Sequence, residues 1–147
     1  QLIGACSLDA ARLMAEALSG MPIERAFVVH GEPGWDEATP AGEFVLFDVL
    51  PGKVTQTTRA PEDYGVERCA PEDLAGGDAE HNAQELIRVF KGEDKGAHRD
   101  ALLMGTSLMF EVQGVASDAR QGVEMAAAAI DDGRAEQFLD NLRQHFS

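Results

Sequence analysis

The chain has 147 residues, which is enough for one domain with a buried core, and 44% of them are hydrophobic, as in ordinary globular proteins. Its charge is unusual, because 26 acidic residues against 12 basic ones give a net charge of −14. Such a surface repels nucleic acid and anionic membranes, since both require clustered lysine and arginine side chains, so we expect neither as a partner.

The N-terminal segment predicts a β-α-β unit. Residues 2–6 are apolar and β-favouring, and Ser7 is suited to cap a helix that ends at Gly20. Residues 25–30 predict a second strand, so the two strands should be parallel and joined by a right-handed crossover. Because the chain begins at Gln1 in the middle of a strand-like run, we expect a piece of a longer protein.

The following residues predict an antiparallel extension of the sheet and then helices. Residues 43–50 and the threonine-rich residues 53–59 predict two strands joined by a turn at Pro51-Gly52, the second being an antiparallel edge strand. Two Pro-Glu-Asp segments predict short helical turns. Longer helices are predicted over residues 78–91, 98–113, 117–132 and 135–145. The predicted fold class is α/β: a partly parallel sheet with an antiparallel edge strand, flanked by helices, with a helical C-terminal half, and a fragment of a larger α/β domain.

The cysteines and the apolar runs indicate the compartment. Cys6 and Cys69 lie far apart in no metal-ligand spacing, and we expect them to be reduced thiols. The longest apolar run, residues 125–130, is too short to cross a bilayer, and no signal peptide is visible. We therefore expect a soluble, cytoplasmic protein.

An acidic loop after the second predicted strand is the strongest functional signal. Asp36 and Glu37 follow a strand that ends in a loop containing Gly31 and Gly34. Open α/β sheets place ligand sites where strands end in such loops, and adjacent carboxylates are hard oxygen ligands that suit Mg²⁺. From the residues alone, a metal site and a solvated loop both remain open.

Four other acidic pairs have structural explanations. Two begin helical turns, where a carboxylate stabilises the positive end of the helix dipole by roughly 0.3–1 kcal/mol. The other two lie in a hydrophilic loop and in a turn between helices. The pairs are Glu62-Asp63, Glu72-Asp73, Glu93-Asp94 and Asp131-Asp132. Gly76 and Gly77 resemble a phosphate cradle, but Asp78 behind them is better suited to cap the next helix, and its charge would oppose an anion.

His30 and Trp35 flank the acidic loop, and the sequence leaves their roles open. His30 either contacts a ligand or closes the strand, and Trp35 either packs over a ligand or pins the loop to the domain. The four histidines do not cluster in the sequence. Without a Cys/His spacing pattern, a zinc site is not expected.

The helix predicted over residues 98–113 carries core residues and no catalytic motif. Gly105-Thr106-Ser107 lies inside this apolar helix, whereas a nucleophile elbow needs a strand before it. Met104, Leu108 and Met109 are predicted to lie in the core. We therefore assign no catalytic residue to this chain.

The order of several motifs resembles the anthranilate phosphoribosyltransferase family. The motifs are V-V-H-G-E-P-G-W-D-E, P-E-D-Y-G, G-G-D-A-E-H-N-A, R-D-A-L-L and A-I-D-D-G-R-A. The resemblance runs over nearly the whole chain but covers only the C-terminal part of a usual family member. It implies that residues 1–147 are a single unit, the C-terminal portion of the phosphoribosyl-transfer α/β domain.

The resemblance implies a Mg²⁺-dependent transfer of phosphoribosyl from phosphoribosyl pyrophosphate to the amino group of anthranilate, a step of tryptophan biosynthesis. Asp36 and Glu37 match the family's Asp-Glu pair, which binds Mg²⁺ with the pyrophosphate, and Gly31 and Gly34 would give the loop its backbone freedom. The resemblance further implies a homodimer at full length.

Two departures from the family pattern bear on activity. The family's glycine-rich G-T-G-G-D loop and its acceptor segment are absent from this sequence, so we expect the chain to be inactive alone. Residues 104–107 are Met-Gly-Thr-Ser where the family commonly has Asn-Ala-Ala-Ala, which leaves open another acceptor. The alternatives are a pyrimidine nucleoside phosphorylase-like relative, which would not need Mg²⁺, and a non-catalytic binding domain of the same fold.

Overall fold

A four-stranded mixed sheet forms the first part of the protein. The computed structural model describes residues 1–32 and 34–146. The strands are β1 (Leu2–Gly4), β2 (Ala26–Gly31), β3 (Phe44–Leu50) and β4 (Lys53–Arg59), in the spatial order β1-β2-β3-β4. β1 and β2 pair in parallel, and the other two pairings are antiparallel. The predicted parallel pair and the predicted antiparallel edge strand are both confirmed.

In the described residues, one α-helix, between the first two strands of the chain, packs on the sheet, and four further α-helices form the C-terminal half. They are α1 (Leu8–Ser19), α2 (Ala79–Phe90), α3 (Ala97–Val112), α4 (Ala119–Asp131) and α5 (Arg134–Phe146). Two short 3-10 turns, Pro61–Tyr64 and Pro71–Leu74, precede α2 at the predicted Pro-Glu-Asp segments. The predicted α/β fold class with a helical C-terminal half is confirmed.

The first strand is shorter than predicted. β1 ends at Gly4, although the Ala5 amide still donates to the Val29 carbonyl at 2.9 Å. The chain then turns so that Ser7 adopts the extended N-cap conformation of α1, and its hydroxyl accepts the Ala10 amide at 3.2 Å. The cap therefore takes precedence over the apolar residues that predicted a longer strand.

Alternating side chains of the central strands pack on both faces of the sheet. Val28 of β2 and Phe47 of β3 face α1, whereas Phe27 and Leu46 face α3. Every residue of β2 except His30 is buried, as expected for a strand covered on both sides. β4 is exposed along nearly its whole length, which suits its polar, threonine-rich sequence to the sheet edge.

Helices α3 and α4 cross at close range. A Cβ atom added at Gly122 of α4 would lie 2.8 Å from the Ser107 Cα atom, and the Ser107 hydroxyl donates to the Ala119 carbonyl at 2.8 Å. Ser107 is thus a packing residue, and the structure provides no nucleophile elbow at this position. Met104 and Leu108 are fully buried as predicted, but the prediction for Met109 is wrong, since it is 37% exposed.

Among the described residues, no helix has both the length and the apolar character that membrane crossing requires. Cys6 and Cys69 are both free thiols.

Candidate functional site

A narrow backbone bridge after β2 presents the acidic loop. The Gly31 amide donates to the Trp35 carbonyl at 2.8 Å, and the Trp35 amide donates back to the Gly31 carbonyl at 2.9 Å. This bridge reverses the chain just beyond the sheet and places Asp36 and Glu37 beside the end of β1. Both carboxylates are exposed to solvent.

Two glycines allow this loop to lie directly on the sheet. A Cβ atom at Gly4 of β1 would overlap the Asp36 carbonyl oxygen, and one at Gly31 would lie 2.5 Å from the Glu37 carbonyl oxygen. The expectation that Gly31 provides backbone freedom is wrong, because positive φ is found at Gly34, with φ 139°, and not at Gly31. Gly31 serves close approach instead.

A cavity of about 760 Å³ opens beside the acidic loop. It is bounded by the ends of β1 and β2, the segment 35–39, the chain before α2, and one side each of α2 and α3. Most of its lining is apolar, including Leu2, Val29, Leu86, Val89, Leu102 and Leu108. Among the described residues that line it, the acidic and basic side chains are Asp36, Glu37, Glu85 and His98.

The donors at this cavity suit Mg²⁺. Asp36 and Glu37 offer adjacent carboxylate oxygens that face open space, which lets the ion keep several of its waters. The other acidic side chain on the wall is Glu85, and the described lining includes no lysine or arginine. A phosphate group entering the cavity would therefore need a cation as its counter-charge.

The structure resolves the two open alternatives for His30 and Trp35. The Nδ1–H group of His30 donates to the Ala5 carbonyl at 2.8 Å, so this side chain joins the end of β2 to the segment after β1. Trp35 is half-buried, pairs with Gly31 through its backbone and lines the cavity. His30 thus closes the strand, and Trp35 both pins the loop and contributes to the cavity wall.

A second polar group lies beside the same cavity and was missed by the sequence interpretation. Glu85 of α2, Asp94 of the following loop and His98 of α3 bring their ligand atoms within 4.8 Å of one another. The spacing of Asp94 and His98, four residues apart at the start of a helix, is a signal that could have found two of its three members. Glu85 joins them only through the packing of α2 on α3.

Members of the other three acidic pairs have structural partners. Glu62 pairs with Arg68 at 2.7 Å, and this hydrogen bond lowers the pKa of the Glu62 carboxyl group. Asp73 accepts the Ala70 amide at 3.0 Å, and Asp131 pairs with Arg99 at 2.9 Å. Asp78 caps α2 by accepting the His81 amide at 2.9 Å, as predicted.

The α/β architecture and the cavity at the strand ends correspond to a known family of transferase domains. Residues 1–136 match the family described as "Glycosyl transferase family, a/b domain". This match covers most of the chain, so the chain belongs to the a/b-domain glycosyl transferase family.

The most similar relatives share one name. The anthranilate phosphoribosyltransferase of Rubrobacter xylanophilus is 42% identical over 142 residues, which are 97% of this chain and 42% of that protein. The resemblance found in the sequence motifs is therefore confirmed. The chain spans less than half the length of this relative.

Solved structures of the same enzyme have the same fold. Anthranilate phosphoribosyltransferase from Thermus thermophilus superimposes with a TM-score of 0.83 at 34% identity, covering 94% of this chain and 40% of that one. The enzyme from Saccharomyces cerevisiae in complex with 4-fluoroanthranilate gives 0.86 at 25% identity, covering 95% and 40%. The yeast enzyme has also been solved with PRPP and Mg, a structure 24% identical to this chain with a TM-score of 0.84.

Proposed function

We propose that this chain is the C-terminal portion of the phosphoribosyl-transfer α/β domain of an anthranilate phosphoribosyltransferase, with residues 1–147 as a single unit. The proposal is supported by relatives of that name that align over 97% of the chain. The observation that carries it is the position of Asp36 and Glu37, whose carboxylates lie on the wall of a cavity at the ends of two parallel strands.

The proposed reaction joins the amino nitrogen of anthranilate to the anomeric carbon of the ribose, and pyrophosphate leaves with the bonding electrons. The chemistry that a Mg²⁺ ion would supply here is neutralisation of the negative charge on the departing pyrophosphate. Asp36 and Glu37 would hold that ion, and the bridge between Gly31 and Trp35 keeps both carboxylates at the strand ends. The apolar side chains on the far wall limit the water that reaches the reacting groups.

We propose that residues outside this chain complete the site that binds the phosphoribosyl donor. The described cavity lining includes no lysine or arginine side chain that could hold the phosphates of a phosphoribosyl donor. We propose that such side chains are supplied by the rest of the protein, and that the full-length protein is a homodimer.

Isosteric substitutions in the full-length protein test the metal role. Asp36→Asn and Glu37→Gln each remove a charge while keeping the shape of the side chain. The Mg²⁺ concentration at half-maximal activity should therefore rise by at least about tenfold. That is the smallest loss of metal affinity usually seen when even a residue that only supports a metal ligand is replaced. The measurement is initial rate against Mg²⁺ at fixed donor and acceptor. Asp9→Asn, at an exposed aspartate in the first turn of α1, is the matched control and should behave as wild type.

Three outcomes would contradict the proposal. Unchanged Mg²⁺ dependence in both variants would remove Asp36 and Glu37 from the metal site. Turnover of a pyrimidine nucleoside with phosphate in the absence of Mg²⁺ would instead support the pyrimidine nucleoside phosphorylase-like alternative. Absence of any turnover at full length, with anthranilate or other acceptors, would support the non-catalytic binding domain.

A further inference from the structure

Three ligand-type side chains from separate elements converge beside the cavity, on α2, α3 and the loop between them. His98 Nδ1 lies 3.3 Å from an Asp94 carboxylate oxygen and 3.9 Å from a Glu85 carboxylate oxygen. The side chains of His98, Asp94 and Glu85 are 31%, 16% and 21% exposed, respectively, so the group is half-buried but open to solvent. Glu85 and His98 both line the cavity.

The distances within this group fit a small metal ion. Ligand atoms that bind a tetrahedral ion at about 2.0–2.1 Å lie about 3.4 Å apart. The two distances from His98 Nδ1, 3.3 and 3.9 Å, require shifts of only a few tenths of an ångström to reach that geometry. All three ligand atoms lie within 4.8 Å of one another, so side-chain rotations that bring them to this spacing would complete three corners of a tetrahedral site.

The donor types select the class of ion. One imidazole nitrogen and two carboxylate oxygens suit zinc and neighbouring divalent transition metals, whereas Mg²⁺ and Ca²⁺ prefer oxygen ligands alone. Three protein ligands leave one coordination position open, as in zinc sites that bind a water or an exchangeable ligand. Because Glu85 and His98 line the cavity, that open position is accessible from it.

Neighbouring groups hold two of the three ligands in place. The Gly96 amide donates to the other Asp94 oxygen, Oδ1, at 2.8 Å, which leaves Oδ2 directed at His98. Arg88 donates to the Glu85 carboxylate at 3.2 and 3.3 Å. Metal sites depend on such supporting hydrogen bonds, which fix the orientation of each ligand before the ion binds.

We propose that Glu85, Asp94 and His98 form a binding site for a divalent cation of the zinc type, separate from the acidic loop. The ion would join α2 to the start of α3, because it takes ligands from both helices and from the loop between them. Its open position would direct a bound water or an anionic group of a ligand into the cavity. This site does not depend on the proposed transferase activity.

Zinc titration of the metal-free full-length protein tests the proposal. The protein is titrated with Zn²⁺ in a calorimeter, in a buffer that contains excess Mg²⁺ to occupy oxygen-only sites. We expect one bound equivalent of Zn²⁺, and we expect His98→Gln and Asp94→Asn each to weaken its binding by more than about tenfold. His81→Gln, at an exposed histidine in the first turn of α2, is the matched control and should bind Zn²⁺ as wild type does. The double variant Asp36→Asn/Glu37→Gln should also retain the zinc equivalent.

The opposite results would overturn the site. One such result is a wild-type protein that binds no Zn²⁺ under these conditions. The other is one equivalent of Zn²⁺ that still binds to the His98→Gln variant but does not bind to the Asp36→Asn/Glu37→Gln double variant. Circular dichroism checks that each variant is folded. If the His98→Gln variant does not fold, the wild-type protein loaded with Co²⁺ is used instead. Visible absorption bands typical of tetrahedral Co²⁺, together with paramagnetic broadening of the His98 ring resonances, would support the site, and their absence would overturn it.

Discussion

At the level of single residues, two glycines determine how closely the acidic loop approaches the sheet. Gly4 lies against the Asp36 carbonyl and Gly31 against the Glu37 carbonyl, with no room for a Cβ atom at either position. The glycines stand on neighbouring parallel strands, so together they fix the backbone of both carboxylates. Side chains that share a backbone fixed in this way can hold an ion without first ordering a loop.

Gly4→Ala should displace the loop without touching either carboxylate. The added methyl group must push the Asp36 backbone away, and such overpacking typically costs about 1–3 kcal/mol. We expect a lower midpoint of thermal unfolding and a higher Mg²⁺ requirement for activity at full length. Gly20→Ala is the matched control, since its Cβ atom would meet its nearest neighbour at an ordinary 3.6 Å. A Gly4→Ala protein with wild-type Mg²⁺ dependence would show that the loop position does not matter for the ion.

At the level of elements, a partly buried ionic network ties the sheet edge to α3. Arg59 at the end of β4 donates to both Glu111 oxygens of α3, at 2.8 and 3.0 Å, and to the Tyr64 hydroxyl at 2.9 Å. Arg25 pairs with Asp48 at 2.8 Å and donates to the Glu111 carbonyl at 3.0 Å. Burial is the largest cause that raises the pKa of Tyr64 above its ordinary value.

This network predicts a loss of stability at alkaline pH. The unfolded chain releases the tyrosine proton at about pH 10, whereas the folded chain retains it to higher pH. Above that pH the unfolded state therefore binds fewer protons than the folded state, and the free energy of unfolding falls as the pH rises. Tyr64→Phe should cost about 1 kcal/mol at neutral pH through its lost hydrogen bond. The variant should also lack this part of the alkaline decline.

Denaturant unfolding of both proteins from neutral to alkaline pH measures this difference. Tyr64 is the only tyrosine in the chain, so tyrosinate absorbance reports its ionisation directly in the native state. Parallel pH profiles for wild type and Tyr64→Phe would refute the assignment of the decline to this phenol.

The elements predicted correctly are those whose signals are local. The polar residues of β4 indicated an edge strand, and Asp78 indicated the start of α2, because each signal lies within a few residues of its effect. The role of Gly31 was misjudged because close approach depends on Glu37 folding back over it. Met109 follows the helical apolar pattern, yet it is partly exposed because its side of α3 faces a cavity.

Sites assembled from distant segments were predicted only in part. Asp36 and Glu37 are adjacent in the sequence, so they could be found as candidates without a structure. The Glu85, Asp94 and His98 group requires the α2–α3 packing before its members meet. For that reason Asp94 was interpreted as an ordinary loop residue, and no histidine was assigned to a metal.

At the level of the whole molecule, the charge and the cavity point to an incomplete binding site. The net charge is −14, and the described cavity lining includes no lysine or arginine, although Arg88, outside the lining, pairs with Glu85. A phosphoribosyl donor carries several negative charges, so the field of this chain opposes its entry unless a cation accompanies it. A Mg²⁺ ion at the acidic loop would offset only part of that repulsion.

The isolated 147-residue chain should therefore have no transferase activity and should not bind phosphoribosyl pyrophosphate in the absence of Mg²⁺. The physical reason is the same for both. The chain offers carboxylates for a metal, but the described cavity lining has no lysine or arginine to hold the phosphates. Calorimetric titration with the donor, with and without Mg²⁺, and a coupled turnover assay make the two measurements, with the full-length protein as the positive control. Detectable turnover by the isolated chain, or donor binding without the metal, would mean that its own residues complete the donor site.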